Sequence, residues 1–174
     1  MIPQEAAAPV ADRGKFMKKI IFVLSLFLAL AMGFAQDAGY TQGSELNKRK
    51  PVISDRDLVI QIADITENAL FYPVDIDGVR LEVLAVRAPD DTIRTAFNTC
   101  QVCYNSGKGY FVQTGTVLVC QNCGRRFRMN QVERQAGGCN PVPIFPANKT
   151  VSGTTITISK EYLRQARNLF AGWK

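Results

Sequence analysis

Two C-x-x-C pairs, Cys100/Cys103 and Cys120/Cys123, stand sixteen residues apart in a 174-residue chain that contains no histidine. This spacing constrains the fold more than any other feature. Two residues between cysteines let both sulfurs face one point, while the intervening backbone turns N–H groups toward them. Two such knuckles on hairpin-linked loops bring four sulfurs to one site, and C-x2-C-x16-C-x2-C falls within the range of four-cysteine metal sites. Cys100, Cys103, Cys120 and Cys123 are therefore the candidate metal ligands. Two other readings stand beside a shared metal or cluster. One is a pair of disulfides formed after export. The other is a thioredoxin-like dithiol, which needs a helix after the first cysteine to lower its pKa. The Asn, Ser and Gly residues of "CQVCYNSGKGY" do not favour such a helix.

The compartment is read from the N-terminus. Lys18 and Lys19 precede an apolar run, "IIFVLSLFLALAMGFA", Ile20 to Ala35, followed by the polar "QDAGYTQGSE". A basic start, an apolar stretch and small residues at Gly33 and Ala35 make a secretory signal peptide over residues 1–35. A retained anchor is the alternative, although the run is short for a span of about 20 residues. Met17 opens "MKKIIFV", so residues 1–16 read as a start-site artefact. No Arg-Arg pair precedes the run, which argues against twin-arginine export. The whole chain carries a formal +6. Removal of residues 1–35 leaves 17 basic against 13 acidic residues, a net +4. That is too mild to argue for a nucleic-acid partner, and export would separate the chain from nucleic acid in any case.

A polar linker, 36–55, containing "NKRK", leads into one domain, 56–174. "DLVIQIADI" alternates, with Leu58, Ile60 and Ile62 on one face. "ALFYPVDIDGVRLEVLAVR" reads as a hairpin turning at Asp77-Gly78, with Val79, Leu81, Val83 and Ala85 on one side of its second strand and Arg80, Glu82 and Leu84 on the other. "APDD" is a turn, and "TIRTAF" is a strand that runs into Cys100. "GYFVQTGTVLVC" reads as a hairpin turning at Thr114-Gly115 that delivers Cys120 at a strand end. Thr155–Ser159 reads as a strand. Ser159 then caps a C-terminal helix whose apolar face is Tyr162, Leu163, Ala166 and Phe170. The expected fold is mostly β, with antiparallel sheets, a two-knuckle four-cysteine metal subdomain and one C-terminal α-helix.

The stretch "AFNTCQVCYNSGKGYFVQTGTVLVCQNCGRRF", with the later "GGCNPVPI", resembles the FtrD-like family over roughly Asp57 to Phe170. The resemblance implies a membrane-associated, iron–sulfur-containing protein linked to bacterial iron uptake. More distantly, "C-x-x-C-G-x-x-F", Cys120 to Phe127, resembles the second cluster-binding loop of Rieske proteins with Cys123 in place of its histidine. "G-C-N-P-V-P-I", Gly138 to Ile144, resembles their proline-rich covering loop. The first loop departs from the Rieske pattern, being C-x-x-C where C-x-H is expected. A chain without histidine cannot ligate a cluster in the Rieske manner. Any 2Fe–2S cluster here would hold four thiolates, and its potential would lie below that of a histidine-ligated centre.

An iron–sulfur cluster agrees with the resemblance. Export of an unfolded chain favours an ion acquired afterwards: Zn²⁺, a single iron or copper(I). Cys139 is read either as a small buried residue beside a turn or as a spare ligand or guarding thiol, expected near the cage but outside the four-thiolate set. Gly137, Gly138, Pro141 and Pro143 suit its loop to covering a site rather than pairing in a sheet. Arg125, Arg126 and Arg128 are read as a solvated loop that offsets thiolate charge, with docking of an acidic redox partner as the alternative. Phe127 is expected to pack beneath the knuckle. Three functions compete: an exported electron-transfer module beside a membrane iron permease, a structural zinc domain, and an enzyme. The last is weakest, since no Ser-His-Asp set, phosphate loop or histidine base is present. The module would face the periplasm, released or anchored.

Overall fold

Residues 52–174 are described by a computed structural model. The signal-peptide reading of 1–35 and most of the linker lie outside the described residues. The end of that linker is structured: Ile53–Ser54 form a short strand, β1, parallel to β3 (Leu70–Ile76).

The Asp77-Gly78 turn forms where the sequence places it. It joins β3 (Leu70–Ile76) to β4 (Val79–Arg87), paired from Leu70↔Ala85 to Ile76↔Val79. Strand β5 (Ile93–Cys100) extends the sheet and carries the chain to the first cysteine. The five-stranded order is β1-β3-β4-β5-β9, where β9 is Pro141–Pro143. The loop after Gly137-Gly138 thus joins the sheet instead of lying free across the site. Prolines lack an N–H for the ladder, and an edge strand is where a sheet tolerates them. The register of β5 against β9 shifts between Phe97 and Cys100, a bulge that redirects the strand where it reaches the knuckle.

A second sheet, β10-β11-β2, is built from Thr150–Ser152, Thr155–Ile158 and Leu58–Gln61. The third, β6-β7-β8, is built from Phe111–Thr114, Val117–Cys120 and Arg126–Arg128. Helix α1 (Lys160–Gln165) starts at Ser159, whose hydroxyl accepts from the Tyr162 N–H, and a 3₁₀ turn over Arg167–Phe170 follows. Among the described residues the architecture is mostly β with antiparallel pairing, apart from the β1–β3 pair, and a single α-helix at the C-terminal end.

The five-stranded sheet is buried on both faces. Alternation along β4 sends Leu81, Val83 and Ala85 into one core, with Phe97, Leu58, Ile60, Ile158, Leu163, Phe170 and Trp173. Leu84 and Val86 enter the other, with Ala96, Phe111, Leu118, Phe127 and the sulfurs of Cys100, Cys103 and Cys120. The sequence places Leu84 with the polar face of its strand. The structure corrects this, because the cysteine-bearing sheet covers that face.

Polar side chains lock the layers together. Asn98 on β5 accepts from the Phe111 N–H (2.8 Å) and donates to the Phe111 carbonyl (3.1 Å), replacing a strand pairing with a side chain. Thr95 donates its N–H to Glu133 Oε2 (2.6 Å), and Lys149 Nζ reaches the same oxygen at 2.6 Å. The Lys149 and Glu133 side chains are 4% and 7% exposed, so neither charge has water to fall back on. Removing one partner of a buried pair costs roughly 3–5 kcal/mol. Lys149→Met should therefore lower unfolding stability in chemical denaturation by about that much, with Lys149→Met/Glu133→Gln recovering a large part of it. Equal stability of wild type and the single variant would show that the pair is not needed.

Candidate metal centre

The two knuckles are carried by different elements. Cys100 ends β5, Cys103 lies in the turn that follows, and Cys120 ends β7. The strand bearing Cys120 is placed by pairing of Phe111 with Cys120 across the β6–β7 hairpin. The first knuckle is closed by the Cys100 N–H donating to the Gly109 carbonyl at 2.7 Å. Gly109 is required by space: a Cβ there would stand 2.3 Å from the Cys103 carbonyl oxygen and 2.6 Å from Tyr104 Cα. The second is closed by Gly124, whose N–H donates to the Cys120 carbonyl at 2.9 Å and whose φ of +70° is costly for other residues. The C-terminal segment braces the first loop. Gly107 N–H reaches the Gly172 carbonyl at 2.6 Å, and Trp173 Nε1 donates to the Arg80 carbonyl at 3.1 Å.

The sulfurs of Cys100, Cys103, Cys120 and Cys139 all lie within 4.8 Å of one another. Cys139 Sγ is 3.2 Å from Cys100 Sγ and 2.8 Å from Cys123 Sγ. All five cysteines of the chain thus meet at one place, and none is in a disulfide. Cys139, read from sequence as an accessory thiol, belongs to the tight four-sulfur group. Cys123, read as a ligand, is the exposed member, while Cys100, Cys103 and Cys120 are buried. Sequence reasoning underrates Cys139 because its approach depends on β9 pairing with β5, a long-range contact that brings Pro141 opposite Cys100.

The backbone treats these sulfurs as charge-bearing groups. The N–H groups of Cys123 and Asn122 donate to Cys120, and that of Arg125 donates to Cys123. The Asn122 side chain donates to Cys103, so one residue serves both knuckles. Burial nonetheless wins at Cys120, pushing its thiol up to about 12. At Cys103 the Asn122 hydrogen bond favours the thiolate, but burial and the neighbouring sulfurs of Cys100 and Cys123 outweigh it and the thiol is raised. Cys139 is raised by burial and by its contact with Cys123. Cys123 goes the other way, to about 7, because the Cys139 thiol and the Arg125 N–H donate to it. A cation among these sulfurs would replace the protons that burial otherwise retains.

This chemistry fits a thiolate-bound metal. Donors are sulfur only, the knuckle amides point at them, and an apolar shell of Leu84, Phe111, Leu118 and Phe127 surrounds them. Phe127 is 5% exposed and packs in this core, as its place in the motif suggests. Arg125 and Arg126 are exposed beside the knuckle and form no ion pair among the described residues.

Comparison with known families gives an independent handle on this arrangement. The family described as "Membrane iron-sulfur containing protein FtrD-like" matches residues 65–170. The chain belongs to this FtrD-like family. The matched segment contains all five cysteines and the whole of the cysteine-bearing core. No curated protein and no solved structure matches the chain, so the likeness to Rieske loops rests on sequence motifs alone. Although the family is described as a membrane protein, no helix among the described residues is long and apolar enough to cross a membrane.

Two outcomes test this geometry. In the metal-free FtrD-like protein at pH 7, iodoacetamide should label Cys123 first, with a rate that rises through a midpoint near 7 as its thiolate forms. Cys120 should stay unlabelled until far higher pH. Peptide mapping that finds Cys120 modified as fast as Cys123 would contradict the assigned environments. Gly109→Ala should cost about 1–3 kcal/mol through overpacking and lower metal stoichiometry per chain. Full occupancy in that variant would show that the close approach at Gly109 does not shape the site.

Proposed function

We propose that this FtrD-like protein is an electron-transfer module of the cell envelope, with an iron–sulfur centre held by Cys100, Cys103, Cys120 and Cys123. The observation that carries this reading is that the two C-x-x-C knuckles meet at one sulfur-only site, buried at Cys100, Cys103 and Cys120 and open at Cys123, with N–H groups aimed at the sulfurs. Cys123 is chosen over Cys139 as the fourth ligand because its sulfur accepts a knuckle N–H, the Arg125 amide. The family description supplies the iron–sulfur assignment. When bound, such a centre exchanges single electrons, and this chain's residues would hold it, shield it and set its potential. Thiolate donors lower that potential, and the N–H groups directed at Cys120 and Cys123 raise it again by stabilising the reduced, more negative state. The role is that of a carrier, not an enzyme.

The natural setting is beside a membrane iron-transport system, with a permease or another redox protein as partner and the domain facing the periplasm. The family description and the basic-then-apolar N-terminus support that setting. The N-terminal segment would deliver the chain to this side of the membrane or tether it there.

A second reading has its own support. Four thiolates about 2.3 Å from one ion stand about 3.8 Å apart in a tetrahedron, and the sulfurs of Cys100, Cys103, Cys120 and Cys139 are nearly that compact, within 4.8 Å. A two-iron cluster would need the two pairs to part further. A single Zn²⁺ or iron ion would fit with less movement, and zinc would make the site structural.

Metal and acid-labile sulfide analysis of protein isolated without air, with its visible spectrum, separates these readings. The electron-transfer reading expects iron and sulfide in equal amounts and a brown protein bleached by dithionite. Colourless protein holding one zinc per chain would overturn it. Cys120→Ser should abolish metal retention and lower the melting temperature, since this sulfur is both ligand and core residue. An unchanged melting temperature with lost metal would show that the β scaffold stands without the centre.

A further inference from the structure

Five thiols occupy a site whose metal chemistry uses four, and the surplus one is not idle in its placement. Cys139 Sγ lies 2.8 Å from Cys123 Sγ. Cys123 is exposed, whereas Cys100, Cys103 and Cys120 are 0%, 7% and 1% exposed. An incoming reagent therefore meets Cys123 before any other ligand. Cys139 is intermediate in exposure and sits at the lip, between Cys123 and the buried Cys100. It enters from a separate segment, after Gly138 and ahead of β9, so it can move against Cys123 without unwinding either knuckle.

We propose that Cys123 and Cys139 form a dithiol–disulfide site, and that closing this disulfide withdraws one metal ligand and releases the metal. The inference rests on the metal-binding reading above and adds a control to that same site. Its co-reactant is a disulfide, either of a protein oxidoreductase or of a small thiol. The Cys123 sulfur attacks one sulfur of that disulfide, breaking its S–S bond, forming a mixed disulfide and expelling the first thiolate. The Cys139 sulfur then attacks Cys123 Sγ, forming the Cys123–Cys139 bond and expelling the second thiolate. Two protein sulfurs are oxidised and one external disulfide is reduced; Cys139 gives its proton to one expelled thiolate, and the other, displaced by the metal-held and already deprotonated Cys123 sulfur, takes its proton from water. The centre then retains the sulfurs of Cys100, Cys103 and Cys120, too few for a closed four-thiolate site. A dithiol reductant reverses the sequence and restores Cys123.

The test uses the full chain, metal-loaded without air, then exposed to oxidised glutathione. Metal release is followed with a chromogenic chelator and disulfides are mapped by mass spectrometry. The expected result is loss of two thiols per chain in step with metal release, and a peptide linked through Cys123 and Cys139. Cys139→Ala should load metal normally and lose the wild-type release phase. A disulfide within either C-x-x-C pair, or undiminished release from Cys139→Ala, would overturn the inference. So would failure of Cys139→Ala to load, which would make Cys139 an obligatory ligand. Wild-type protein that takes up no metal overturns the metal-binding reading and this inference with it. Loaded protein whose oxidation joins other cysteines overturns this inference alone.

Discussion

Sulfur crowded against sulfur in a dry site is the constraint on which this structure turns. Thiols brought within a few Å of one another and shielded from water cannot all ionise, because each thiolate raises the cost of the next. Burial first, and the neighbouring sulfurs second, hold the Cys120 and Cys139 thiols up, while hydrogen bonds from Cys139 and the Arg125 N–H bring exposed Cys123 down. A soft cation removes the conflict by taking the place of the protons. The amides of Asn122, Cys123 and Arg125 add fixed partial positive charge on the same side, at no cost in reorganisation. Arg125 and Arg126 place mobile charge further out, where solvent screens it.

Most of the scaffold serves to bring three chain segments to that point. Strand β5 carries Cys100, the β6–β7 hairpin carries Cys120, and the approach to β9 carries Cys139. Asn98 ties the first two together with paired hydrogen bonds, and the bulge between Phe97 and Cys100 turns the strand end into the knuckle. The Glu133–Lys149–Thr95 cluster anchors the chain on either side of β9 to the middle of β5. Because Cys100, Cys103 and Cys120 also belong to the second hydrophobic core, the centre and the fold share side chains. A metal bound here contributes to folding even if its role is to carry electrons.

The local elements were legible because each has a local signal. Asp77-Gly78 marks one hairpin, the alternation of Val79, Leu81 and Val83 marks a half-buried strand, and Ser159 marks a helix start. The two knuckles were legible for the same reason, since a C-x-x-C spacing acts over four residues. What the sequence concealed is long-range. Leu84 looks like the outer face of β4 until the β6-β7-β8 sheet covers it. Pro141 and Pro143 look like a covering loop, and only the free edge of β5 makes them a strand. Cys139 follows from that same pairing, so its closeness to Cys100 and Cys123 has no signal within its own neighbourhood. Ile53–Ser54 likewise joins a sheet through a parallel partner twenty-one residues away, Ile53 opposite Val74.

The central claim is that sulfur alone holds the metal. X-ray absorption at the metal edge of the anaerobically isolated protein tests it most directly. The account predicts a first shell of four sulfur scatterers at about 2.3 Å, with a further metal scatterer if the centre is a cluster. A shell containing nitrogen or oxygen ligands, or fewer than four sulfurs, would contradict it.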